Sequence, residues 1–157
     1  LSGVDLSETL LRTFDGQARL YLGDCRELKL SDRSIDAVVV QGGLHHLPNL
    51  PDDLEKTLRE VRRVLRPEGR FVVVEPWKTT FLRVVHGVCN LSIARRVWAK
   101  MDALATMIDR ERATYERWLG QPDQILQLLR THFEPERQST AWGKLSFVGR
   151  PRHLHGR

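Results

Sequence analysis

The chain has 157 residues, 41% of them hydrophobic and 29% charged, with a formal net charge of +5; this suits one packed domain and excludes a disordered polyelectrolyte. Its basic surplus is interleaved with acids in "LEKTLREVRRVL" and "MIDRERATYERW", the pattern of a solvated helix face, so no nucleic-acid partner is expected. Cys25 and Cys89 form no paired-thiol motif and no apolar run approaches the roughly 20 residues that cross a bilayer, which argues against a disulfide framework, a zinc centre or a membrane span and for a soluble protein in a reducing, cytoplasmic setting.

In chain order, "SGVDLS" reads as a short strand ending in an acid. "SETLLRTF" follows with helical spacing of Leu10, Leu11 and Phe14, Ser7 being the expected N-cap and Glu8 lying in the first turn. "ARLYLGD" is the next strand, again ending in an acid, and "LKLSDRS" is a polar connection with turn residues Ser31, Asp32 and Ser34. "IDAVVV" is a continuous β-branched run, expected of a parallel strand covered on both faces. It ends in Gln41-Gly42-Gly43, followed at once by two histidines.

From Asp52 to Leu65 the apolar positions Leu54, Leu58, Val61 and Leu65 recur at helical spacing, while Lys56, Arg59 and Arg63 face water. Asp52 with Glu55 resembles a capping box. Pro67 and Gly69 terminate this helix, and "FVVVEP" is another buried strand ending in an acid. Strands alternating with helices build a doubly wound, mostly parallel sheet of Rossmann-like α/β type. Residues 77–119 break the alternation with two or three helical stretches and no strand. "PDQILQLLRTHF" is an amphipathic helix opened by Pro122 and Asp123, and "PERQSTAWGKLSFVGRPR" reads as an antiparallel hairpin around Trp142-Gly143 that closes the sheet edge. The basic tail "GRPRHLHGR" reads as a frayed end.

The succession "GVDLSETLL", "LGDCRELKLSDRSIDAVVVQGGLHHL", "LREVRRVLRPEGRFVVVEP" and "FEPERQSTAWGKLSFVGRPR" resembles the class I S-adenosylmethionine-dependent methyltransferases, in particular the type-11 branch that includes small-molecule enzymes of quinone biosynthesis. The resemblance covers nearly the whole chain apart from the helical insert. It implies a single methyltransferase domain over 1–157; the insert at about 77–119, which the resemblance does not cover, reads as an apolar lid over the acceptor.

In open α/β sheets ligands bind beyond the carboxyl ends of the strands, which here carry Asp5, Asp24, Gln41 and Glu75. The resemblance assigns Asp5 to the two ribose hydroxyls of S-adenosylmethionine, with Leu6 against the adenine face. It assigns Asp24 to the adenine amino group, with the backbone of Cys25 beside the ring. Gln41 and Gly42 stand toward the methionine part, where a missing side chain permits close backbone approach. Each acid also has a plainer reading: Asp5 caps the following helix, Asp24 ends a turn, and Glu75 either lines the substrate cavity or is a solvated strand end. Cys25 reads as a small buried hydrophobe.

Leu44, His45, His46 and Leu47 fall between cofactor and acceptor. His45 or His46 there is a candidate to take a proton from the acceptor, although methyl transfer is an in-line displacement in which positioning supplies much of the catalysis, and a packing or capping role is the competing reading. His86 in the insert is placed to reach the acceptor pocket, although a lone histidine on an apolar helix is more often structural. His153 and His155 form H-x-H without further ligands, so no metal is expected. Trp77, Trp98 and Trp118 read as core or as part of the lid.

The family's first strand and its glycine-rich turn have no counterpart in the sequence, and "LSGVDLS" corresponds to the second strand. In the family that first strand lies between the second and fourth strands, so its loss exposes two strand edges. An upstream segment of about 40 or more residues, the size of a strand, a turn and a helix, is therefore expected. The leading expectation is methyl transfer to a small molecule, with a homodimer as the macromolecular assembly considered. A catalytically silent methyltransferase-like binding module is the alternative, and a nicotinamide oxidoreductase a third.

Overall fold

The structure, a computed structural model, describes residues 1–78 and 113–152. Most of the expected insert, and with it His86, Cys89 and Trp98, lies outside the described residues, as do His153 and His155.

Strand β1 (Ser2–Asp5) leads into helix α1 (Glu8–Thr13) and back to strand β2 (Arg19–Leu22). Ser7 caps α1 as expected, accepting the Leu10 amide hydrogen at 3.3 Å. β1 and β2 pair in parallel, Ser2 opposite Arg19 through Asp5 opposite Leu22, and the Gly23 amide donates to the Asp5 carbonyl just beyond the ladder.

Strand β3 (Ile35–Gln41) passes through a 3-10 turn at Leu44–His46 into helix α2 (Asp52–Val64) and strand β4 (Leu65–Pro76). Residues 113–119 are helical; helix α3 (Pro122–His132) and strands β5 (Phe133–Ala141) and β6 (Lys144–Pro151) follow. β3 and β4 are parallel, β4 and β6 antiparallel, and β5 and β6 form the expected hairpin. Trp142 and Gly143 both take positive φ, 52° and 76°, as a two-residue turn with the twist of its flanking strands requires.

Every pairing follows the expected α/β architecture, with one break. The strands form two sheets, β1-β2 and β3-β4-β6-β5, and among the described residues no ladder joins β1 to β3.

Three local expectations are corrected. Pro67 and Gly69 do not terminate α2, which ends at Val64; both lie inside β4. Asp52 and Glu55 form no capping box: the N-cap of α2 is Pro51, which has no side chain to donate or accept, and Asp53 reaches back instead to the Asn49 amide at 3.1 Å. Asp52, Asp53 and Glu55 all stay in the first turn, where the helix dipole favours acids. Nor is β3 covered on both faces. Val38 and Val40 pack toward the core, whereas Val39 between them is 66% exposed, because alternate residues of a strand point to opposite faces and the core lies on one of them.

That core is continuous. Leu54, Leu58 and Val61 of α2 and Ile125 and Leu129 of α3 meet Phe71 and Val73 of β4, Phe133 of β5, and Leu145 and Phe147 of β6, all buried. Phe71 and Phe133 pack ring to ring at 4.9 Å. Trp118 is fully buried, packs edge-on against Trp77 and donates its indole hydrogen to the Pro76 carbonyl at 2.8 Å. Trp77 and Trp118 are therefore core in this fold.

Candidate functional site

Parallel pairing brings the carboxyl ends of β1 and β2 together, and likewise those of β3 and β4. Asp5 ends β1 and Gln41 ends β3; Asp24 follows β2 by two residues, and Glu75 is the penultimate residue of β4. The loop after β2 is bound to helix α2, which follows the turn leaving β3.

At the first end, Asp5 Oδ1 accepts the Ser7 amide hydrogen at 2.7 Å. This is an Asx turn ahead of the helix, whose cap is Ser7 and not Asp5 as the plainer reading had it, and it occupies one carboxylate oxygen only. Leu6 beside it is 66% exposed. Asp24 is more fully engaged. The Arg26 guanidinium closes on both of its oxygens, Nη2 to Oδ2 at 2.6 Å, and the Arg26 backbone amide adds a bond to Oδ1. Those hydrogen bonds from Arg26 hold the Asp24 carboxyl below its usual range against the opposing effect of burial. Arg26 also reaches Asp53 Oδ2 at 3.1 Å. Burial alone would raise Asp53, but the Asn49 amide, the Asn49 side chain and the Arg26 charge outweigh it and keep that carboxyl low as well.

Arg26 is thus a clamp between the loop after β2 and the start of α2. Cys25 beside it is half-buried with its sulfur 3.7 Å from Thr57 Oγ1, and burial pushes its thiol up. It packs against the core as the sequence suggested and is no poised nucleophile.

At the second end, Gly42 turns the chain out of the sheet with φ of 64°. A Cβ there would meet nothing nearer than His45 Cε1 at 3.9 Å. The backbone conformation, rather than crowding, therefore calls for glycine. Gln41 beside it is exposed, and its backbone lies opposite Val74 of β4.

Glu75 neither lines an open cavity nor ends a strand in water. It is 2% exposed. Its Oε1 accepts the amide hydrogens of Gly43 and Leu44, each at 2.8 Å, and its Oε2 lies 2.8 Å from His45 Nδ1. His45 is buried with it, whereas His46 is exposed and its ring lies 4.0 Å from that of His45. The Tyr115 ring stands edge-on to His45 at 5.9 Å, and burial pushes its phenol up.

Sequence reasoning missed Arg26, Asp53 and Tyr115. It named Glu75 without seeing its work, although the strand period places Glu75 on the same face as Phe71 and Val73, which is the core face. An acid in that register must find donors.

The donor set fits an adenosine-bearing cofactor. A carboxylate at Asp5 retains Oδ2 for a hydroxyl pair, and Gly42 and Gly43 present backbone without side chains. Both Asp24 oxygens, by contrast, are held by the Arg26 guanidinium.

Residues 1–73 match the family described as "Methyltransferase domain". A demethylmenaquinone methyltransferase of Thermotoga maritima is 36% identical over 80 residues, 48% of this chain and 32% of that protein. The chain thus spans about a third of that curated relative's length. Among solved structures, a Pyrococcus horikoshii protein superimposes with a TM-score of 0.65 at 20% identity, covering 97% of this chain and 71% of that one. A Burkholderia thailandensis 1,6-didemethyltoxoflavin-N1-methyltransferase, solved with 1,6-didemethyltoxoflavin and S-adenosylhomocysteine, does so with a TM-score of 0.53 at 17% identity, covering 96% and 60%.

Proposed function

We infer the activity of this chain from its family: it is a class I S-adenosylmethionine-dependent methyltransferase domain of the type-11 branch, and we propose that it methylates a small organic molecule. The observation that carries the proposal is the rim itself. The family match over residues 1–73 spans Asp5, Asp24, Gln41 and His45; Asp5 and Gln41 end the strands β1 and β3, Asp24 follows β2 by two residues and His45 follows β3 by four, and the reading joins them at one ligand-binding rim of the kind open α/β sheets use.

In this reading Asp5 binds the ribose hydroxyls and Leu6 covers one face of the adenine. Asp24 and the Cys25 backbone meet the adenine edge, and Gln41 and Gly42 face the methionine part. When bound, S-adenosylmethionine supplies an electrophilic methyl group. The chain contributes orientation and, at His45, a place for a proton. Of the two histidines His45 is the better candidate base, because its ring is buried and held by Glu75 whereas His46 is exposed. A small-molecule acceptor is supported by the relatives, one named for demethylmenaquinone and one for 1,6-didemethyltoxoflavin. The insert at about 77–119 is assigned as the acceptor cover within a single domain; what supports this is Tyr115, near its C-terminal end, which stands beside His45. The reading keeps the cytoplasmic setting and a homodimer as the assembly to look for.

The catalytically silent module is favoured by one observation, the occupation of Asp24 by Arg26. Calorimetric titration with S-adenosylmethionine separates the two. The enzyme binds it, and Asp5→Ala weakens binding by about 1–3 kcal/mol, the value of hydrogen bonds to a charged group. Unchanged affinity in that variant removes Asp5 from the site, and no binding by the parent chain favours the silent module.

A further inference from the structure

We propose that Glu75 is the positioning residue of this site, and that it fixes His45 as the tautomer with its proton on Nδ1 and its lone pair on Nε2. Three donors from consecutive residues converge on this one buried carboxylate. The Gly43 and Leu44 amides both lie 2.8 Å from Oε1, and His45 Nδ1 lies 2.8 Å from Oε2. A carboxylate accepts only, so the ring nitrogen facing it must carry the hydrogen, and the other nitrogen of a neutral imidazole is then the acceptor.

Glu75 sits on β4 and the three donors lie just beyond the end of β3. The strands are in register, with Gln41 opposite Val74, and the Gly42 amide donates to the Val74 carbonyl at 2.9 Å. The turn leaving the cofactor rim is thus tied to β4 first through backbone and then through the Glu75 side chain. The positive φ of Gly42 aims the chain at that carboxylate. Tyr115 and His46 pack on the ring from other sides and restrict its rotation. The Glu75 contact at Nδ1 and the neighbouring rings of His46 and Tyr115 hold the imidazole in one orientation.

The geometric assignment stands without any activity; the use of Nε2 rests on the function proposed above. There, bound S-adenosylmethionine would supply the methyl group and become a neutral thioether, and the acceptor would have one proton to release. The proton the acceptor releases moves to Nε2, Nδ1 keeps its own, and the imidazolium charge faces the Glu75 carboxylate.

The test uses the full chain labelled with nitrogen-15 in its histidine rings, at about pH 8.5, two units above the ordinary imidazole value. His45 signals are identified by their loss in His45→Asn. The expected result is a protonated Nδ1 and an unprotonated Nε2. Glu75→Gln keeps an oxygen for the Gly43 and Leu44 amides but turns an N–H toward Nδ1, so the proton moves to Nε2 and the pattern reverses. A protonated Nε2 in the parent chain overturns the proposal, and so does a Glu75→Gln spectrum with the parent pattern. The parent spectrum decides alone where the variant does not fold. Failure of S-adenosylmethionine to bind the same sample, with the Nδ1 proton in place, overturns the functional reading and leaves the positioning role standing.

Discussion

Two regions of this molecule obey the same secondary-structure rules with opposite results. Residues 1–22 form a complete strand-helix-strand unit with a capped helix and a four-residue parallel ladder, yet none of them is buried. Leu1, Val4, Leu6, Leu10, Phe14, Tyr21 and Leu22 are all exposed. The unit built on β3, α2 and β4 uses the same connection and buries Leu54, Leu58, Val61, Leu65, Phe71 and Val73 to 2% or less. The second unit has α3 and the β5-β6 hairpin against it; among the described residues the first has no comparable layer. Local propensity makes the elements, but burial takes a neighbour on the far side.

The sharpest way to test that contrast is to cut into the second region. Phe71 is fully buried against Phe133, so Phe71→Ala leaves a cavity that the rigid sheet cannot close. The expected loss is about 3–5 kcal/mol, read as a lowered urea midpoint. A loss under about 1 kcal/mol would mean that the core is not packed as the distances imply.

Most of this architecture was legible because its signals are local. Periodic apolar positions marked α2 and α3, β-branched runs marked β3 and β4, and Trp142-Gly143 marked the hairpin. The errors arose where a residue's meaning depends on what lies across from it. Val39 has the sequence context of a buried strand residue, but its coverage depends on a layer that "IDAVVV" does not encode. Asp52 and Glu55 have capping-box spacing, yet the N-cap falls on Pro51 and it is Asp53 that takes the Asn49 amide. At the site, strand-end acids could be found by topology. The Arg26 clamp and the hub at Glu75 could not, because each joins residues about 30 positions apart.

The two regions are tied by the segment between β2 and β3, which lies on α2. Glu60 Oε2 accepts the Leu28 amide hydrogen at 2.8 Å, and Arg63, bound to Glu60, donates to the carbonyls of Leu28 and Leu30. The Arg63 hydrogen bond holds the Glu60 carboxyl below its usual range, with the Leu28 amide assisting against burial. A depressed carboxyl contributes stability that is fully present above its unfolded value, near pH 4.3, and is lost as the pH falls through the folded value. Glu60→Gln should therefore cost about 1–2 kcal/mol at pH 7 and progressively less below pH 4. Urea unfolding of both proteins at pH 7 and pH 3 measures this; a gap that persists undiminished at pH 3 would show that the tie is not ionic.

The smallest effect is expected in the first region, and it bears most directly on the contrast. Leu22 ends β2 with 58% of its surface exposed, so Leu22→Ser removes little buried area and should change the unfolding free energy by no more than about 0.5 kcal/mol. The ladder with Asp5 survives, since its hydrogen bonds are backbone only. The measurement is the same urea transition used for Phe71→Ala, with the ratio of the two losses as the informative quantity. If Leu22→Ser approached the cost of Phe71→Ala, residues 1–22 would be packed in solution against something these strands do not themselves provide. The break between the two sheets would then be the place to look for it.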